Sequence, residues 1–148
     1  MGLRVGRTPD GRRIEVARAF EAPAADAWDL LIDTDRWPEW GPTLSAAAVD
    51  GGRGRIGPGA TGWVAVGVDA LRVPFEVESF AGVPDYRWTW RVAGVPATGH
   101  RAEALPDGRC RVVFEVPPLA AGYAVVCRRA LDRIGRLLAA PDRGVDPG

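Results

Sequence analysis

The sequence predicts an α+β fold, an antiparallel sheet of about seven strands closed by one long C-terminal helix, with two short helices after the first strand. Three observations predict it. Apolar residues alternate in segment after segment between Arg13 and Val116, the period of strands with one wet face. Glycine, proline and aspartate punctuate those segments at turn-like intervals. From Leu119 onward the apolar period lengthens to that of a helix.

Taken in order, "RIEVARAFE" (13–21) sets Ile14, Val16 and Phe20 against Glu15, Ala17 and Ala19 and reads as the first strand, ended by Pro23. In "PAADAWDLLID" a proline suits an early helical position, and Ala24, Ala27, Trp28 and Leu31 fall at helical spacing. Asp33, Thr34 and Asp35 can cap a second helix. That helix is "DRWPEW", a single turn in which Pro38 is tolerated and Trp37 and Trp40, three apart, face the same way. Six further strands are expected in "LSAAAVD", "TGWVAVG", "LRVPFEVESF", "DYRWTWRV", "ATGHRAEAL" and, after a "PDG" turn, "GRCRVVFEV". Val73, Phe75 and Val77 oppose Pro74, Glu76 and Glu78; Trp88 and Trp90 oppose Arg87, Thr89 and Arg91. Pro74, lacking a backbone donor, is expected at an edge or a bulge. Beyond Pro117 and Pro118, Tyr123, Val126, Cys127, Ala130, Leu131, Ile134 and Leu138 oppose Arg128, Arg129, Arg133 and Arg136, an amphipathic helix. "APDRGVDPG" has no periodicity. One domain is expected over residues 1–148, with a core from about 14 to 139 and both termini frayed.

Composition excludes several function classes. Apolar types make up 47% and charged types 26% of 148 residues, with 19 basic residues against 19 acidic, so no basic surface for nucleic acid is expected. All the basic residues are arginine, a bias that reads as coding composition. The apolar stretches are broken long before a membrane span is reached. "MGLRVGRTPDGRR" lacks the apolar region of a secretory signal, and Gly6 stands where a myristoylation motif needs Ser or Thr. A cytoplasmic location with reduced thiols is expected. Cys110 and Cys127 fit no metal-ligand spacing, and with a single histidine neither a metal site nor a cofactor is expected.

His100 shares its strand face with Thr98, Ala102 and Ala104, opposite Arg101 and Glu103. An imidazole there either orients a ligand oxygen, acts as a general base, or is a buried histidine bonded to its neighbours. Tyr123 and Cys127, four apart on the apolar side of the last helix, should look into the same space. Trp88 and Trp90 present two indoles from one strand, either core or a platform for a flat ring. Arg87, Arg91, Arg101, Arg109 and Arg111 are expected on a solvated outer face paired with Glu76, Glu78, Glu103 and Glu115. No Ser-His-Asp set, phosphate loop or paired inward carboxylates occur.

The element order, together with "RAFEAPAADAWDLLIDTDRWPEW", "RWTWRV" and "GRCRVVFEV" leading into the amphipathic helix, resembles the START-like superfamily of polyketide cyclases and dehydrases, birch-pollen-allergen relatives and lipid-transfer domains. The likeness runs from about Ile14 to Ala139. It implies a helix-grip fold, in which a curved sheet wraps the C-terminal helix and leaves an apolar cavity. Within it, the residues expected to line a ligand are Trp40, Phe75, Trp88, Trp90, His100, Phe114, Tyr123 and Cys127. The likeness implies one of two functions: binding of a hydrophobic small molecule, or cyclase/dehydrase chemistry with His100 and Tyr123 exchanging protons. No inward arginine is found to steer an enolate, which weakens the second. A third reading is a scaffold whose interior is filled by its own side chains. The expected partner is a hydrophobic small molecule, and a homodimer stays open.

Overall fold

Eight strands pair antiparallel in a single sheet of order β1-β2-β8-β7-β6-β5-β4-β3. The computed structural model describes residues 2–51 and 54–140. Its elements are β1 (Gly2–Thr8), β2 (Gly11–Phe20), α1 (Ala24–Ile32), α2 (Trp37–Trp40), β3 (Leu44–Val49), β4 (Thr61–Val66), β5 (Leu71–Ala81), β6 (Arg87–Val92), β7 (Val95–Ala104), β8 (Cys110–Val116) and α3 (Ala124–Ala139). Register shifts interrupt the β3–β4, β5–β6 and β6–β7 ladders, and irregularities of this kind bend a sheet. All three helices pack against the sheet, and Ala130, Leu131 and Ile134 of α3 join Val16, Val112 and Phe114 in one buried core. This is the helix-grip arrangement.

Several expectations need correction. The N-terminus does not fray: Gly2–Thr8 forms β1, paired from Gly2–Ala17 to Thr8–Gly11. The cue was present, since "TPDG" is a turn signal after the alternating Leu3 and Val5, but both side chains are exposed and no core pattern draws attention to them. The last helix starts at Ala124, because Pro118–Tyr123 takes a 3₁₀ path that leaves helical geometry at Ala120. No side chain caps α2; Asp33 accepts instead from the Asp35 N–H, and the Thr34 hydroxyl donates to the Gly54 carbonyl. Pro74 sits in an interior strand just past the end of the β5–β6 ladder, which begins at Phe75–Val92. The C-terminal stretch from 141 lies outside the described residues.

The two tryptophans of α2 are explained by the helix before them. A helix leaves its last carbonyls without intrahelical partners, and α1 ends at Asp33 with no glycine to turn back on them. The Trp40 indole N–H donates to Leu30 O at 2.8 Å and the Trp37 indole N–H to Leu31 O at 2.9 Å, while Ile56 N–H donates to Ile32 O. Both rings thereby hang from the end of α1 into the sheet's concavity. Trp37 stacks on Trp88 (5.4 Å, 6°) and meets Phe75 and Trp90 at 5.5 and 5.4 Å.

On the opposite face Arg91–Glu78 and Arg111–Glu103 are solvated pairs as expected, but the charges around Glu15 and Glu115 are not. Glu15 and Glu115 stand directly opposite one another on β2 and β8, and like charges in that register repel. Arg101 lies between them, its Nη1 at 2.9 Å from Glu15 and 2.7 Å from Glu115. Arg87 adds a two-pronged contact to Glu115, and Arg4 closes on Glu15. Both carboxylates are buried, contrary to the expectation for Glu115, because arginine stems and β1 cover them. Burial alone would raise the Glu15 carboxyl, but hydrogen bonds from Arg4 and Arg101 hold it below its ordinary value. Gly99 makes the room: a Cβ there would come within 2.5 Å of the Glu115 carboxylate.

Three substitutions test this packing by urea denaturation. Trp37→Ala is expected to cost about 3 to 5 kcal/mol, whereas Trp63→Ala, on the outer face beside Arg72, should cost far less. Glu115→Gln takes one anion from the half-buried Arg87 and Arg101, which keep Asp10, Glu15 and Glu103 as partners, and should cost about 2 kcal/mol.

Candidate functional site

The concave face holds two adjoining spaces of different character. At its inner end a cavity of about 50 Å³ is bordered by Trp40, Trp88, His100, Phe114 and Cys127, among others. Next to it an open hollow of about 530 Å³ lies between β3–β4, the β6–β7 hairpin and the Pro117–Tyr123 stretch. Val64, Val66, Val92 and Ala97 give it an apolar wall. Leu44, Trp90, Thr98 and Tyr123 border both spaces. A wider depression of about 650 Å³ beside Pro84 and Asp85 contains Arg87 and Arg101, whose charges are already paired with Glu115.

His100 enters from the centre of β7. It pairs with Trp88 of β6 and Phe114 of β8, so the three rings form one row across the sheet. Its ring stacks on Trp88 at 4.0 Å and 20° and meets Phe114 edge-on at 5.4 Å. Nδ1 lies 3.4 Å from the Trp88 carbonyl, an acceptor only, which assigns the proton to Nδ1. Nε2 then accepts from the Thr98 hydroxyl at 2.9 Å, and Thr98 Oγ1 in turn accepts from the Trp90 indole N–H at 3.2 Å. Both imidazole nitrogens are engaged. Burial holds the imidazole's pKa down at about 3; the Trp88 carbonyl opposes the shift and the Arg87 charge adds to it. His100 is therefore a neutral, oriented ring at neutral pH.

The other expected residues divide. Trp88, Phe114, Cys127 and Trp40 border the inner cavity with His100, while Trp90 and Tyr123 border both spaces. Phe75 borders neither, because Trp37 comes between it and the open space and packs against its ring. Tyr123 precedes α3 instead of riding on it, and its hydroxyl meets Thr43 Oγ1 at 3.2 Å across the entrance. Burial raises its pKa, with the Thr43 bond opposing. The Cys127 thiol is pushed up to about 12 and Cys110 to about 11, both chiefly by burial, so neither is a ready nucleophile, and the two stay unbridged. Sequence reasoning missed the walls of the larger hollow. Thr98 was readable from its phase with His100; Pro96, Ala97 and Ala120 carry no signal of their own.

Burying this imidazole makes stability depend on pH. The unfolded histidine titrates near 6.5 and the folded one at about 3, so as pH falls the unfolded chain takes up the proton first. Stability that is complete above pH ~6.5 is lost progressively toward pH ~3, by about 2 kcal/mol between pH 7 and pH 5. Urea midpoints at the two pH values should show this difference in the wild type and a smaller one in His100→Gln. Imidazole nitrogen shifts should report a neutral ring at pH 5.

Known proteins share this fold. Among solved structures, a protein of Chromobacterium violaceum superposes with a TM-score of 0.63 at 18% identity, covering 86% of this chain and 97% of its own. A hypothetical protein of Helicobacter pylori gives 0.68 at 12% identity, covering 84% and 86%. A START superfamily protein of Mycobacterium smegmatis gives 0.60 at 10% identity, covering 84% and 94%. These likenesses show the fold. No curated protein matches the chain. The family described as polyketide cyclase / dehydrase and lipid transport matches residues 20–139, from the end of β2 to the end of α3. By that match, the chain belongs to the polyketide cyclase/dehydrase and lipid transport family.

Proposed function

We propose that this protein binds an uncharged, mostly apolar small molecule in the 530 Å³ hollow. The observation that carries the reading is the hollow itself. Its volume falls in the range of small-molecule sites, its wall is apolar, and its few polar groups converge at Thr98, Tyr123 and Thr43. No charged side chain borders either space among the described residues, so an ionised group carried into them would go unpaired.

Binding fits these residues better than cyclase or dehydrase chemistry. A general base needs a free lone pair near working pH, and the Nε2 lone pair of His100 is taken by Thr98. The Tyr123 hydroxyl, with its raised pKa, is a poor proton source, and an enolate formed here would find no cation among the described residues. The free thiols suit a reducing compartment, and we place the binding in the cytoplasm.

The test is a thermal-shift panel of a fatty-acid methyl ester, a sterol, a quinone and a flavonoid, read alongside tryptophan fluorescence. At a hundredfold excess over Kd, a bound member should raise Tm by roughly 5 to 10 °C. Ala97→Trp, which fills the hollow from its wall, should abolish the response while leaving the far-UV spectrum unchanged. A wild-type protein indifferent to every compound would refute the reading.

A further inference from the structure

Within this ring cluster one polar atom has no partner. The Trp88 indole N–H is buried without an acceptor among the described residues, and the residue is only 1% exposed. Its ring stacks on both Trp37 and His100, which leaves it no freedom to turn toward another group. The donors around it are all used: Trp37 on Leu31 O, Trp40 on Leu30 O, Trp90 on Thr98 and Thr98 on His100. An indole nitrogen donates and never accepts, so the missing partner must be an acceptor. A buried donor left unmatched is costly and rare, and Trp88 borders the 50 Å³ cavity that adjoins the larger hollow.

We propose that this cavity is a head subsite in which the Trp88 indole N–H donates to a carbonyl-type oxygen at the leading end of the guest. The inference rests on the binding reading above and adds the guest's chemical class and the residue that selects it. The guest's apolar body lies in the 530 Å³ hollow and its oxygen passes Thr98 and Trp90, which border both spaces. A carbonyl needs only a donor, which is what Trp88 offers. A carboxylate head is rejected, because no cation borders either space among the described residues.

The experiment compares three ten-carbon probes, 2-decanone, 1-decene and decanoate, by tryptophan fluorescence titration of the full chain. 2-Decanone should bind about tenfold more tightly than 1-decene, and decanoate more weakly than 2-decanone. In Trp88→Phe the ketone's advantage over 1-decene should vanish. The wild type supplies a second readout that does not depend on the variant folding: the Trp88 Nε1–H resonance should move downfield with 2-decanone and not with 1-decene. Equal binding of ketone and alkene, or an advantage that survives in a folded Trp88→Phe protein, overturns the subsite and leaves the hollow intact. Binding of none of the three probes overturns the subsite together with the binding reading on which it rests.

Discussion

Two indole N–H bonds to the end of α1 set the interior of this protein. A helix that stops without a glycine turn must find donors for its last carbonyls, and here Trp37 and Trp40 supply them through Leu31 and Leu30. Because each ring is tied at its nitrogen, its carbon face has one direction left, inward over the sheet. Trp37 then fills the space between Phe75, Trp88 and Trp90, and the concavity can stay open only on the side toward β3–β4 and the β6–β7 hairpin. The position of the hollow is thus a consequence of how one short helix ends.

The same packing decides what chemistry the histidine can do. His100 sits in a row of rings, with Trp88 on one side and Phe114 on the other, and each of its nitrogens has one partner. A ring so placed is held neutral by burial and oriented by Thr98 and the Trp88 carbonyl. It works as part of a wall. The chain Trp90–Thr98–His100 runs from the shared border of the two spaces into the core, so polar character at the inner end is directed and scarce.

The outer face carries the cost of the sheet's own register. Pairing β2 with β8 places Glu15 against Glu115, and Arg101 and Arg87 answer both. Removing side-chain bulk at Gly99 lets the Glu115 carboxylate lie flat among the arginines. The strand β1, with Arg4, covers this cluster from the edge. A cluster of this kind specifies which strands pair, since a one-residue slip would send the charges inward.

By itself the sequence determined the periods. Alternation in seven segments from "RIEVARAFE" to "GRCRVVFEV" and the helical stripe after Pro118 marked seven of the eight strands, α3 and the inward phase of His100, Trp88, Trp90 and Phe114, because these patterns repeat within a few residues. The short helices were legible from Pro23 and Pro38. What only the tertiary structure decided were matters of contact between distant segments. The strand β1 is stabilised by β2 and a charge cluster, with no apolar stripe of its own. Phe75 has the inward phase of a lining residue, yet it is hidden by Trp37, far earlier in the chain. Glu115 reads as solvent-facing and is buried by arginines from two other strands. Phase along a strand says which face a side chain takes; whether that face is filled, open or wet depends on what folds over it.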